Sequence, residues 1–213
     1  MIQAVIFDMD GTLIDTEKYY HIYWMEAVRH FGYEITDEQA YELRSLGSPF
    51  VQEYFRKLYG SDFDYETVHA YRKQLMEPVL EEKGIELKPG AKELLAFLKK
   101  KGMITAIATA TDPARTEKYL KSLGLHDYFE KIISARMVKK GKPAPDVYIY
   151  ACSELGLQPA ECMAVEDSPN GVRSAYAAGC KVVMVPDQTQ PDEELSRLLY
   201  KKADSLLEIK QFC

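Results

Sequence analysis

The chain has 213 residues, 46% hydrophobic and 28% charged, which suits one large α/β domain or such a core carrying a small insertion. Its net charge of −6 gives no basic footprint for nucleic acid, so an anionic ligand needs locally placed cations or a metal. The sequence has no run of about eighteen apolar residues, and its N-terminus has no basic segment followed by a long apolar one. A membrane span and a signal peptide are therefore not expected, and a cytoplasmic location is.

The first apolar run, Ala4-Val5-Ile6-Phe7, reads as a buried strand, and Asp8 and Asp10 follow it directly. Burying a carboxylate costs several kcal/mol unless something compensates it, so this pair asks for a cation or for chemistry that needs both acids. Next comes a long stretch without a strand pattern, read as helices over 17–31, 37–45, 50–58 and 65–82. Thr36 and Gln39 have capping-box spacing, and Ser48-Pro49 resembles a helix start. The aromatics Tyr19, Tyr20, Tyr23, Trp24, Phe31 and Tyr33 recur at helical spacing and are read as the core of a small bundle, ahead of a ligand cage. Residues 16–86 are thus expected to be an inserted helical domain, with residues 1–15 and 87–213 forming the other unit.

From 91 onward the rhythm is regular. Helices at 91–101, 113–123, 146–155 and 169–178 alternate with apolar runs at 104–108, 131–134, 163–165 and 182–185. A glycine follows each helix, at 102, 124, 156 and 179, where a left-handed cap is needed. Continuous apolar strands alternating with helices predict a parallel sheet covered on both faces, a doubly wound, Rossmann-like α/β core. The tail, 192–213, reads as two short surface helices. Cys152, Cys162 and Cys180 lie in apolar segments and, like Cys213, have no metal spacing, so reduced thiols and a reducing compartment are expected.

In an open parallel sheet, ligands sit beyond the carboxyl ends of the strands. There the sequence places Asp8, Asp10, Gly11 and Thr12; then Thr109, Ala110, Thr111 and Asp112; then Lys139, Lys140, Gly141 and Lys142; then Glu166, Asp167 and Ser168. Carboxylates from two strands suit Mg²⁺, which offsets the repulsion between carboxylate and phosphate. Hydroxyls, free N–H groups and a lysine suit a phosphate dianion. An aspartate can attack phosphorus, and a second can move the proton of the leaving group. Bland readings exist for each group. Asp8 and Asp10 could be turn acids, Thr109 a strand residue, Lys142 part of a solvated charge run with Lys139 and Lys140, and Glu166-Asp167 a helix cap. The histidines 21, 30, 69 and 126 have no metal spacing, and Gly141-Lys142 is no P-loop.

Four segments together carry a resemblance. DMDGT at 8–12, IAT at 107–109, Lys142 in GKPAPD and EDS at 166–168 resemble, in order, the four motifs of the haloacid dehalogenase (HAD) superfamily of phosphotransferases. The inserted helices resemble the cap domain of its β-phosphoglucomutase-like branch. The resemblance implies that Asp8 is nucleophile and magnesium ligand. It implies that Asp10 is the general acid/base with its backbone carbonyl on the metal, and that Asp167 is a further ligand assisted by Glu166. It also implies that Thr109 and the Ala110 N–H hold phosphate, and that Lys142 orients nucleophile and phosphate. The cap residues Gly47, Ser48, Arg72 and Lys73 are expected to face the rest of the substrate, with hinges near 13–16 and 86–89.

Three functions are weighed. The first is a Mg²⁺-dependent phosphatase acting on a small phosphorylated metabolite, sugar phosphates included. The second is β-phosphoglucomutase, whose members resemble DTxEYH, GxSR and RK. Here Arg72-Lys73 fits, Tyr20 takes the histidine position with His21 one place late, and Pro49 takes that of the arginine, which favours the hydrolase. The third, a phosphoacceptor signalling domain, is shorter and lacks the insertion. A dehalogenase lacks the second aspartate. No nucleic-acid or membrane partner is expected, and monomer is the default.

Overall fold

The computed structural model describes residues 1–213. Its strands are β1 (Ala4–Phe7), β2 (Ile104–Thr109), β3 (Lys131–Ser134), β4 (Cys162–Glu166), β5 (Lys181–Met184) and β6 (Lys201–Lys202). Its helices are α1 (Glu17–His30), α2 (Asp37–Glu42), α3 (Phe50–Tyr59), α4 (Tyr65–Lys83), α5 (Ala91–Lys100), α6 (Pro113–Ser122), α7 (Asp146–Glu154), α8 (Pro169–Ala178) and α9 (Glu193–Ser196). The strands form one parallel sheet in the order β3-β2-β1-β4-β5-β6, with Phe7 in register with Ile107 on one side and Val165 on the other. From β1 the chain winds outward through β2 and β3, then returns to β4 on the opposite flank. The crevice of this doubly wound α/β sheet therefore opens where β1 and β4 end.

Alternate residues of β1 feed two cores. Val5 and Phe7 pack with Leu94, Leu95 and Leu98 of α5 and Leu120 of α6, while Ala4 and Ile6 pack with Val147 and Ala151 of α7 and Val172 and Ala175 of α8. Each fully buried large side chain contributes about 1.5–3 kcal/mol. This double burial lets the central strand end in acids without unravelling.

Between β1 and α5 stand α1–α4, which pack around a third cluster that includes Trp24, Val28, Phe55, Phe63 and Val68. Of the six aromatics expected in the bundle core, Trp24 is buried there, 5.2 Å from Phe55, and Tyr20 and Tyr33 pack on that cluster half-buried, whereas Tyr19 and Tyr23 pack against the core of the sheet and Phe31 is exposed; the stacked Phe55 and Phe63 rings, 4.8 Å apart, supply the rest. Both halves of the capping box form, with Gln39 N donating to Thr36 Oγ1 and Thr36 N to Gln39 Oε1. The chain leaves and re-enters at one point. Asp15 N donates to Glu86 O at 2.8 Å and Lys88 N to Leu13 O at 2.9 Å, so the two connections run side by side.

Two expectations need correction. The helix expected over 37–45 ends at Glu42, because Leu43 to Leu46 close into tight turns with Ser45 at φ 55°. The tail does hold two short helical pieces, α9 and a 3₁₀ turn, but each buries part of its length and a strand lies between them. Tyr200 N and Ala203 N donate to Val182 O and Met184 O, adding β6 as an edge strand, and the 3₁₀ turn (Leu206–Gln211) then buries Leu206 and Ile209 in the core that α5 lines. No helix is long and apolar enough to cross a membrane.

Candidate active site

The segments after β1, β2, β3 and β4 converge beyond the carboxyl edge of the sheet. Of the three lysines after β3, Lys139 and Lys140 are exposed and Lys142 is fully buried. Its Nζ donates to Asp8 Oδ1 at 2.5 Å and to Glu166 Oε1 at 2.6 Å, and the Tyr148 hydroxyl donates to the same Glu166 oxygen at 2.5 Å. Burial opposes the Lys142 ammonium, but the two carboxylates outweigh it and raise its pKa. Burial likewise pushes the Asp8 carboxyl well above its ordinary range, against the pull of Lys142. The charge-run reading of Lys142 does not describe this geometry.

Asp8, Glu166 and Asp167 each bring a carboxylate oxygen within 4.8 Å of the others. Asp8 Oδ2 and Glu166 Oε2 are buried with no hydrogen-bond partner. Such orphaned anionic oxygens are costly, and a hard divalent cation is the partner their chemistry fits. Asp167 accepts from Thr12 Oγ1 at 3.2 Å and is ion-paired to Arg44. Burial raises its pKa to about 6, opposed by Arg44. Helix α8 is capped by Ser168, whose Oγ accepts from Gly171 N at 3.1 Å, which leaves Asp167 to the site. Gly171 is required by close approach: a Cβ there would lie 1.9 Å from Glu166 Oε2.

The Asp10 carboxylate stands apart from that trio. It accepts from Thr16 Oγ1 at 2.6 Å and Thr111 Oγ1 at 2.7 Å. Burial raises its pKa although both hydroxyls oppose the shift. Thr109 Oγ1 accepts from Thr111 N at 3.0 Å and lies 3.5 Å from Asp10 Oδ2.

A cavity of about 160 Å³ lies between these strand ends and the α1–α4 insertion. Asp8, Asp10, Thr109 and Ala110 line it from one side, and Gly47, Ser48, Arg72 and Lys73 from the other. Arg72 is not a solvated helix charge. It is buried, with its guanidinium 4.8 Å from the Tyr20 ring centroid and 4.9 Å from that of Trp24. Burial, and then the nearby Arg72 and Lys73, push the His69 pKa down to about 3, so that ring is neutral. His21 pairs with Asp37 at 2.8 Å and stacks on Tyr41.

Several contacting residues escaped the sequence reading: Arg44, Glu17, Thr16 and Tyr148 had no role, and Thr111 was placed at the strand end without a task. Arg44 meets Asp167 across 123 residues, a pairing that local pattern does not encode. Tyr148 sits where the apolar stripe of α7 demands a large side chain, so it reads as core.

Residues 5–185 match the family model of haloacid dehalogenase-like hydrolases. The phosphorylated carbohydrates phosphatase of Thermotoga maritima is 31% identical over 182 residues, covering 84% of this chain and 82% of its own. The fructose-1-phosphate phosphatase YqaB of Escherichia coli is 30% identical over 187 residues, covering 85% and 95%. Among solved structures, a candidate β-phosphoglucomutase from Bacteroides vulgatus superposes with a TM-score of 0.83 at 26% identity, over 99% of this chain and 86% of that one.

Proposed function

The chain belongs to the haloacid dehalogenase-like hydrolase family, in its β-phosphoglucomutase-like branch, and is a phosphoric monoester hydrolase; from that premise we propose that it is a Mg²⁺-dependent phosphatase of small phosphorylated carbohydrates, acting through an aspartyl-phosphate intermediate. One observation carries the reading: the orphaned oxygens Asp8 Oδ2 and Glu166 Oε2 beside the buried ammonium of Lys142. Asp8, Asp167 and Glu166, with the backbone carbonyl of Asp10, would hold the metal. When bound, it supplies positive charge to the phosphate oxygens that face the carboxylates.

The chain's own groups divide the rest. A carboxylate oxygen of Asp8 forms the new bond to phosphorus as the ester P–O bond breaks. Asp10, whose hold on a proton burial strengthens, gives its proton to the departing alkoxide, so the alcohol leaves neutral. In the second half the Asp10 carboxylate takes a proton from water as that water attacks phosphorus, and inorganic phosphate departs from Asp8. Lys142 holds Asp8 in place and adds positive charge beside the phosphoryl group. Thr109 and the Ala110 N–H offer donors to its oxygens.

Residues 16–86 are proposed as the cap, closing over residues 1–15 and 87–213. A closed cavity excludes water and strengthens each charge interaction within it. Arg72, Lys73 and the Gly47-Ser48 loop would then meet the sugar end of the substrate.

A panel of phosphate esters assayed for phosphate release with Mg²⁺ tests the reading. Sugar phosphates should lead the panel, excess chelator should stop turnover, and Asp8→Asn should abolish it, because an amide is a poor nucleophile. Full activity in chelator, or a substantial residual rate in Asp8→Asn, overturns it. Conversion of β-glucose 1-phosphate to the 6-phosphate without phosphate release would replace it with a mutase.

A further inference from the structure

The segment between α2 and α3 grips the two loops that bring Lys142 and Asp167 to the site. On the Asp167 side, Arg44 Nη2 donates to the Asp167 carboxylate and, at 3.2 Å, to its backbone carbonyl. Arg44 Nη1 donates to Thr189 Oγ1 at 2.9 Å. The Asn170 side-chain amide donates back to the carbonyls of Glu42 and Arg44, both at 2.9 Å. On the Lys142 side, Gly47 N donates to Lys142 O at 2.9 Å and Gly141 N to Ser48 O at 2.8 Å. The two glycines touch so closely that a Cβ on either would lie 2.7 Å from the other's Cα.

This clasp is directional in its chemistry. Arg44 is 4% exposed, and its guanidinium engages Asp167 Oδ2, leaving Oδ1 with a single 3.2 Å bond from Thr12. Glu17 Oε2 stands 3.8 Å from Arg44 Nε and adds a second acid to the same cation. One oxygen of Asp167 is thus fixed from the inserted helices while the other remains for a ligand.

We propose that Arg44 is a positioning residue that holds Asp167 for the metal, so that seating the inserted helices and binding the divalent cation favour each other. The proposal rests on the metal reading given above. Partners that orient a metal-ligating carboxylate typically control affinity by about 10–100-fold. Linkage makes the coupling reciprocal: whatever the seated clasp adds to metal affinity, the metal adds to the clasp.

The test uses no substrate. Mg²⁺ is titrated calorimetrically into the wild type, Arg44→Gln and Arg44→Lys, and amide exchange at Gly47 and Gly141 is followed with and without Mg²⁺. Arg44→Gln should weaken Mg²⁺ binding at least about tenfold, and Arg44→Lys should recover part of the loss. In the wild type, Mg²⁺ should slow exchange at both glycines, and Arg44→Gln should remove that effect. A merely structural arginine would shift the unfolding temperature and leave the Mg²⁺ response of the two amides intact. Unchanged or tighter Mg²⁺ binding in Arg44→Gln overturns the proposal, as does exchange at Gly47 and Gly141 that ignores Mg²⁺. Failure of the wild type to bind Mg²⁺ overturns the metal reading itself, and absence of ester turnover bears only on the activity.

Discussion

Replacing Lys142 by methionine keeps most of the side-chain volume and removes the one cation between two buried carboxylates. Lys142 and Glu166 are fully buried and Asp8 is 1% exposed, and the ammonium bonds both acids within 2.6 Å. Removing one partner of a buried ion pair costs about 3–5 kcal/mol, against a total stability of about 5–15 kcal/mol for a domain. The loss should depend on pH, with a definite sign. Burial already raises the Asp8 pKa in the folded protein, and loss of the ammonium raises it further. A carboxyl whose folded pKa exceeds its unfolded value adds stability while both states are protonated, and that stability drains away as pH climbs toward the folded pKa. The deficit of Lys142→Met should therefore be small near about pH 4 and reach its full size near about pH 8. Urea unfolding in chelator at both pH values measures it. A deficit below about 1 kcal/mol near neutral pH, or one that grows on acidification, would refute the reasoning.

Asp10→Asn should slow ester turnover by about 10²–10⁴-fold and leave Mg²⁺ affinity unchanged in calorimetry, because the Asp10 carboxylate is bonded to Thr16 and Thr111 outside the acidic trio. The metal-free protein should lose stability as pH rises from about 4 to about 7: Asp167 alone, raised from 3.8 to about 6, accounts for about 3 kcal/mol as an upper bound, and thermal melts should show Mg²⁺ restoring it. Alanine for glycine inside a helix normally stabilises by about 0.5–1 kcal/mol. Gly171→Ala should reverse that sign, costing about 1–3 kcal/mol in chemical unfolding and weakening Mg²⁺ binding, because the methyl occupies the place of the Glu166 carboxylate.

The strands were legible because each is a short apolar run between polar punctuation, and burial on both faces demands such runs. β6 was not, because its two lysines carry no apolar signal and its pairing is imposed by β5. Asp8 and Asp10 announced themselves as acids at the end of a strand that had to be buried. Lys142 needed its GKPAPD context, since charge alone does not separate it from Lys139 and Lys140. Arg44 was illegible for a different reason: its role exists only once Asp167 is beside it, and the sequence around it is ordinary helix end. Arg72 was expected to face the substrate from the inserted helices, but its burial against Tyr20 and Trp24 was not legible, because those two aromatic neighbours come from another helix, α1.

The side-by-side connections at 13–15 and 86–88 also bear on the order in which the chain can fold. β1 must find β2 across the whole insertion, and closing a long flexible loop costs entropy that grows as (3/2)RT ln n. If α1 and α4, which touch in the folded protein, pair first, they bring Leu13 and Lys88 together ahead of the sheet. That shortens the loop between β1 and β2 from about a hundred residues to about twenty, which lowers the closure cost by about 1 kcal/mol. A splint of this kind would show in kinetics: lesions in the aromatic cluster of the helices between β1 and α5 should slow assembly of a sheet they do not touch.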